Sequence, residues 1–156
     1  MQDMLVRLYD LPPFEPGRWS HKGVKIKRAI APELHLVCDW VKEYFGKGWE
    51  SECLVAFGNS PISCFVAYED NSIVGFACYD ATTKNFFGPT GVKESHRGLG
   101  IGKALLLEAM YALKAQGYAY AIIGGVGPVD FYKTALDAEL INKSNPGIYK
   151  DILRAE

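Results

Sequence analysis

The segment from Arg97 to Gly102, which reads Arg-Gly-Leu-Gly-Ile-Gly, has the composition of a phosphate-binding loop. Three of its six residues are glycines, and a leucine-rich amphipathic helix is predicted directly after it. Backbone N–H groups at a helix N-terminus lack intrahelical partners and carry partial positive charge, so they attract anions. Glycines let a phosphate approach the backbone because no Cβ intervenes. The loop therefore predicts a site for a phosphate-bearing ligand.

The spacing of these glycines excludes two common phosphate-binding motifs. The dinucleotide fingerprint GxGxxG would need a glycine where Lys103 or Leu105 stands. A Walker loop that ends at Gly102 would need a glycine in place of Arg97 and a hydroxyl residue in place of Ala104. A tight strand–helix turn without a ligand is the remaining alternative, but such a turn does not require three alternating glycines beside an arginine.

The elements around the loop are a mixture of strands and helices, as hydrophobic periodicity indicates. The predicted strands cover 24–29, 63–68, 72–79, 85–92 and 118–123, and the predicted helices cover 34–45, 49–57, 103–116 and 129–136. The Gly88-Pro89 pair predicts a bulge or break in the strand that precedes the loop. Residues 1–22 are expected to form an extended N-terminal arm, and the tail 139–152 one or two closing strands. The pattern predicts a single mixed α/β domain over residues 1–156.

Composition excludes several classes of protein. The chain has 156 residues, of which 49% are hydrophobic and 22% charged, so it can bury one sizeable core. Its 17 basic and 18 acidic residues predict no nucleic-acid partner, and no apolar run is long enough to predict a membrane span or a signal peptide. The four cysteines lack the CxxC spacing of metal sites, so we expect reduced core thiols, no metal and a cytoplasmic location.

In its context, the loop resembles the pyrophosphate loop of the GCN5-related N-acetyltransferases, the GNAT family. The family loop reads [Q/R]-x-x-G-x-[G/A], and Arg97, Gly100 and Gly102 match its fixed positions. A strand before the loop, a leucine-rich helix after it and a Phe-Tyr pair at 131–132 match as well. The resemblance extends from about Val24 to the end of the chain. It implies a central mixed sheet that is mostly antiparallel, splayed at the cofactor site and flanked by helices.

The resemblance implies that the co-substrate is acetyl-CoA. The N–H groups of the loop would hold the pyrophosphate, and the edge of the preceding strand would pair with the pantetheine arm as an added strand does. The residues implied to contact the cofactor are Thr90, Gly91, Val92, Arg97, Gly98, Leu99, Gly100, Ile101, Gly102, Lys103 and Tyr132.

The resemblance also implies two catalytic groups. Tyr132 would protonate the departing thiolate, and the backbone N–H of Thr90 would bind the thioester carbonyl. The alternative for Tyr132 is a packed aromatic residue that only lines the channel. Some family members carry a glutamate where Phe86 stands. The general base therefore stays open among Asp80, Glu43, Glu50, Glu52 and a water relay.

The acceptor pocket is expected around residues 44–52, with Phe45 and Trp49 as walls and Glu50 and Asp80 as carboxylates. We predict direct transfer, within a ternary complex, of an acetyl group to the amine of a small molecule. One alternative is an enzyme that acetylates protein termini or lysines, and another is an acyl-CoA-binding module without catalysis. The arm and the tail leave a homodimer open.

Overall fold

The computed structural model describes residues 1–155, which form eight strands and four α-helices. The strands are β1 (Met4–Arg7), β2 (Ser20–His21), β3 (Val24–Arg28), β4 (Cys64–Glu69), β5 (Ser72–Tyr79), β6 (Phe86–Val92), β7 (Tyr120–Ile123) and β8 (Glu139–Leu140). The helices are α1 (Leu34–Phe45), α2 (Lys47–Phe57), α3 (Ile101–Ala115) and α4 (Val129–Leu136). None of the helices in this described range is both long and apolar enough to cross a bilayer.

All eight strands belong to one sheet, in the order β2-β3-β4-β5-β6-β7-β1-β8. The β6–β7 pair is parallel, whereas the other pairs are antiparallel. The predicted mixed sheet, mostly antiparallel and flanked by helices, is therefore confirmed.

Helices cover both faces of the sheet, because side chains alternate between the faces along each strand. On one face Cys64, Val66 and Phe76 pack against α1 and α2. On the other face Phe65 and Ala77 pack against α3. Each strand of the central hairpin is thus buried on both sides, which explains why β4 and β5 are nearly continuous apolar runs.

The first residues lie inside the sheet rather than in an arm. They are extended, as expected, but β1 pairs with β7 on one side and with β8 on the other, so that Met4 lies opposite both Ile123 and Leu140. The side chains of Met4 and Val6 are 0% exposed. The following segment packs along α3, where the Tyr111 hydroxyl donates a 2.6 Å hydrogen bond to the carbonyl of Pro12.

The four cysteines are buried, unpaired thiols that gather between the sheet and helices α1 and α2. The sulfur atoms of Cys53, Cys64 and Cys78 lie within 4.8 Å of one another. Burial raises the pKa of the Cys38 thiol to about 12. The spacing of the cysteines along the chain did not predict that they would meet. They lie in the apolar core, away from the cleft described below.

Candidate functional site

The glycine loop ends on the N-terminus of α3. Gly98 and Gly100 have φ values of 81° and 83°, in the left-handed region that glycine adopts without strain. Because Gly100 turns the chain, α3 begins at Ile101, two residues before the predicted start, and the N–H of Ala104 donates to the Gly100 carbonyl over 3.1 Å. No side chain of the described residues caps this helix end. Its first N–H groups therefore remain available to a ligand.

The loop leaves space where an anion would approach. A Cβ added at Gly98 or Gly100 would meet no atom within 4 Å, and one at Gly102 would come only within 3.7 Å of Val92 Cγ2. Packing therefore does not require glycine at Gly102. Arg97 is fixed beside the strand end, because its Nε donates to the Val92 carbonyl over 3.1 Å. Positive charge and open N–H groups make the loop a fit for a pyrophosphate.

The end of β6 presents free backbone groups to the same space. The N–H of Lys93 donates to the Val74 carbonyl over 2.7 Å, so Lys93, directly after β6, is one of the residues whose backbone groups point toward β5. Gly91, two residues earlier and opposite Phe76, points the same way. By alternation, the N–H and C=O groups of Thr90 and Val92 point away from β5, and of these the Val92 C=O accepts from Arg97 Nε. On that side β7 pairs only with Phe86 and Phe87, so the two strands separate beyond this point.

A bulge accompanies this separation, as the sequence predicts. Tyr79 lies opposite Phe87 and Ala77 opposite Thr90, so β6 contains one more residue than β5 across the Gly88-Pro89 pair. The Thr90 hydroxyl donates to the Phe76 carbonyl over 3.0 Å, and this bond holds the residue at the end of the bulge.

The loop, the free strand edge and the start of α4 enclose one cavity of about 590 Å³, which we call the central cleft. Its lining contains twelve of the residues singled out from the sequence: Phe45, Trp49, Thr90, Gly91, Val92, Arg97, Gly98, Gly100, Ile101, Gly102, Lys103 and Tyr132. It also contains Phe87, His96, Leu106, Pro128 and Phe131, to which the sequence analysis assigned no site role. Residues from distant parts of the chain thus meet in one cavity.

Tyr132 lies at the wall of the cleft, on α4. The residue is only 6% exposed, and burial raises the pKa of its hydroxyl to about 12. Within residues 1–155 no group forms a hydrogen bond with this hydroxyl. Every fully buried side-chain oxygen or nitrogen of these residues does have a partner, so the Tyr132 oxygen is not fully buried. The oxygen must therefore reach the open space of the cleft, where it stays protonated near neutral pH.

A close contact explains the glycine at position 91. A Cβ added at Gly91 would lie 2.3 Å from Cζ of Phe45, so the ring lies directly on the backbone of β6. The ring cannot easily swing away, because it stacks on Trp49 at 5.1 Å between centroids and contacts Phe76 at 5.7 Å. These contacts join the α1–α2 junction to the strand edge of the cleft.

We expect Gly91→Ala to lower the free energy of unfolding by about 1–3 kcal/mol, because the added methyl group overpacks this contact. Urea denaturation of the single variant, of Phe45→Leu and of the double variant measures the effect. When Gly91→Ala is introduced into Phe45→Leu, the free energy of unfolding should fall by less than when it is introduced into the parent protein. Equal costs in both backgrounds would contradict the proposed clash.

A second cavity, of about 920 Å³, adjoins the central cleft and shares Trp49 and Phe87 with it. We call it the side cavity. It is bounded by α2, by the loops that follow β5 and β7, and by the C-terminal tail. Its polar side chains include Glu52 and Thr82, whose hydroxyl donates a hydrogen bond to Glu52 Oε1. The tail was expected to supply strands, but beyond the short β8 it supplies Tyr149 to this wall.

Four of the residues singled out from the sequence line neither cavity: Leu99, Glu43, Glu50 and Asp80. Leu99 packs against the core. Asp80 is 5% exposed, and its Oδ1 accepts a 2.6 Å hydrogen bond from the N–H of Asn85, so it orders the β5–β6 turn. Among the carboxylates left open as candidate bases, only Glu52 lines either cavity, and it lines the side cavity rather than the central cleft.

The model of the acetyltransferase (GNAT) family matches residues 34–134. No curated protein matches the chain. The fold is similar to that of a GCN5-related N-acetyltransferase from Sphaerobacter thermophilus, at 21% identity and a TM-score of 0.70, over 90% of this chain and 48% of that one.

Two further structures share the fold. One is a GCN5-related N-acetyltransferase from Kribbella flavida, with 18% identity, a TM-score of 0.60 and coverage of 89% of this chain and 53% of that one. The other is a GNAT family acetyltransferase from Brucella melitensis in complex with acetyl-CoA, with 16% identity, a TM-score of 0.52 and coverage of 78% and 88%. The chain spans about half the length of the Sphaerobacter and Kribbella proteins.

Proposed function

Because the chain belongs to the acetyltransferase (GNAT) family, we propose that it transfers the acetyl group of acetyl-CoA to the amine of a small molecule. The observation that carries the proposal is the convergence of three features in the central cleft. These features are the glycine loop on α3, the free edge of β6 and the open hydroxyl of Tyr132.

The cleft suits acetyl-CoA in charge and in shape. The N–H groups at the start of α3, with Arg97 and Lys103 beside them, would hold the pyrophosphate. The outward N–H and C=O groups of Thr90 and the outward N–H of Val92 would pair with the amide-bearing arm as an additional strand does. When bound, acetyl-CoA supplies a thioester whose acyl carbon an amine can attack.

Two groups of the chain would assist that attack. The Thr90 N–H would donate a hydrogen bond to the thioester carbonyl, on which negative charge grows as the amine approaches. The Tyr132 hydroxyl would give its proton to the departing sulfur. Burial keeps the Tyr132 hydroxyl protonated, so the donor is present throughout the neutral range.

The side cavity supports the proposal that the acceptor is a small molecule. Its volume of about 920 Å³ falls within the range of small-molecule sites. The tail contributes Tyr149 and Ile152 to its lining, so an acceptor bound there would share the space with the chain's own C-terminal segment. Since Trp49 and Phe87 border both cavities, an acceptor placed there reaches the end of the strand edge in the cleft.

Thiol release from acetyl-CoA tests the proposal. We expect turnover with small amines from a mixed panel, little turnover with lysine-containing peptides, and only slow release without an amine. Calorimetric titration with acetyl-CoA runs in parallel. Faster turnover with peptides would point to a protein acceptor, whereas tight binding without turnover on any amine would point to an acyl-CoA-binding module. Failure to bind acetyl-CoA would overturn the proposal.

A further inference from the structure

The side cavity contains a carboxylate that lacks a cationic partner. Glu52 lies on α2, three residues after Trp49, so the two side chains share one face of the helix. Both line the side cavity, as does Val55 on the next turn. Glu50, on the same helix, does not line it. The sequence therefore places one of the two glutamates of α2 at this wall and leaves the other elsewhere.

The hydrogen bonding of Glu52 is incomplete. Its Oε1 accepts from the Thr82 hydroxyl, but among residues 1–155 no donor reaches Oε2 and no cation forms an ion pair with the carboxylate. Arg154 also lines the cavity, but it is exposed and makes no ion pair with Glu52. The bond from Thr82 fixes one oxygen and leaves the other free to accept a donor.

The surroundings of this carboxylate are mainly apolar. Trp49, Val55, Phe86 and Ile152 contribute to the same wall. Tyr149 is near as well: burial raises the pKa of its hydroxyl, and the charge of Glu52 raises it further. A carboxylate that faces apolar side chains without a counter-charge loses part of its hydration. A cationic donor that entered the cavity would restore the missing interaction.

Glu52 is also displaced from the groups assigned to acetyl transfer. It lines the side cavity but not the central cleft that holds Thr90 and Tyr132, whereas Trp49 and Phe87 border both. A nitrogen that remains protonated in an ion pair has no lone pair for attack. A nitrogen bound as a cation at Glu52 would therefore be distinct from the nitrogen that accepts the acetyl group.

We propose that Glu52, oriented by Thr82, binds a second, cationic nitrogen of the acceptor, so that the preferred acceptor is a diamine with an apolar spacer. The inference rests on the proposed function of the central cleft. One amine loses its proton to solvent and attacks the thioester, while the other stays protonated at Glu52. The spacer lies along Trp49 and Phe87, between the two cavities.

A series of linear diaminoalkanes with three to eight carbons, each compared with the monoamine of equal length, tests this proposal. We expect the best diamine to exceed its monoamine in kcat/KM by about tenfold or more, the ratio that one charged hydrogen bond provides. Glu52→Gln should remove this preference, Glu52→Asp should keep part of it, and the matched control Glu50→Gln should leave it unchanged. Affinity for acetyl-CoA should not change in any of these variants.

Calorimetric binding of the same diamines separates failure of this inference from failure of the proposed function. If the parent protein binds the diamines without acetylating them, and Glu52→Gln loses this binding, the cation site is supported and the proposed acetyl transfer is overturned. Turnover with equal kcat/KM for diamines and monoamines would overturn the cation site alone. A diamine preference that persists in Glu52→Gln, with thermal unfolding like that of the parent, would overturn it as well.

Discussion

Replacing Gly102 by glutamate is expected to abolish acetyl-CoA binding and, at the same time, to raise the stability of the protein. Gly102 lies in the first turn of α3, where a side chain would meet only Val92 Cγ2 at 3.7 Å. Exchanging glycine for a better helix former raises the free energy of unfolding by about 0.5–1 kcal/mol, and an acidic residue near a helix N-terminus raises it by about 0.3–1 kcal/mol more. The protein itself therefore has no need of glycine at this position.

Ligand binding is expected to suffer in this variant, because the new carboxylate would lie where the pyrophosphate is proposed to bind. Two like charges 4 Å apart repel by about 4 kcal/mol at the effective dielectric constant near a protein surface. We expect affinity for acetyl-CoA to fall by more than about a hundredfold. Calorimetric titration measures the affinity, and thermal denaturation measures the stability.

Gly102→Ala is the matched control. Alanine also improves the helix, but it adds neither charge nor much bulk, so this variant should gain stability and bind acetyl-CoA almost as the parent does. Because the two properties move in opposite directions in Gly102→Glu, a folding defect cannot imitate the result. Retained affinity in the glutamate variant would place the pyrophosphate away from the start of α3.

The second large effect is expected for Tyr132→Phe, which should reduce kcat by about a hundredfold, the lower end of the range for loss of a general acid. The Tyr132 hydroxyl forms no hydrogen bond within residues 1–155, so its removal should change thermal stability little. Affinity for acetyl-CoA should also stay close to that of the parent. Steady-state kinetics of thiol release, combined with calorimetric titration, separates the chemical step from binding.

The pH dependence follows from the raised pKa of Tyr132. With a pKa of about 12, the hydroxyl keeps its proton up to about pH 10, so loss of this proton should not reduce activity between pH 7 and pH 10. The ratio of kcat for the parent and the variant should stay constant over this range. A ratio that approaches one near pH 9 would show that Tyr132 loses its proton there, which would contradict the raised pKa of its hydroxyl. An unchanged kcat at pH 7 would leave Tyr132 as a residue that only lines the channel.

The parts of the fold that follow from local sequence were predictable. The helical spacing of Leu34, Val37 and Val41 defines α1, and the glycines of the loop define the start of α3 to within two residues. The Gly88-Pro89 pair correctly marks the bulge in β6. In each case the physical cause lies within a few residues of the element that it specifies.

Features that depend on distant contacts were not predictable. The apolar residues of β1 gave no sign of which strands would flank them, because register is decided by partners far along the chain. The pairing of Glu52 with Thr82 joins α2 to the loop after β5, and no spacing rule connects the two residues. The cysteine cluster was hidden for the same reason, since its members come from two helices and two strands.

The position of β1 between β7 and β8 has a consequence for biosynthesis. β1 is synthesised well before its partners β7 and β8, and it has to wait for them before it can pair. Until then Met4 and Val6 are exposed on a nascent chain with unpaired edges, a state that favours aggregation. The same late docking aligns Asp3, whose Oδ1 accepts a 2.8 Å hydrogen bond from the N–H of Gly125 at the border of the side cavity. Docking of β1 therefore completes the sheet and one border of the side cavity at the same time.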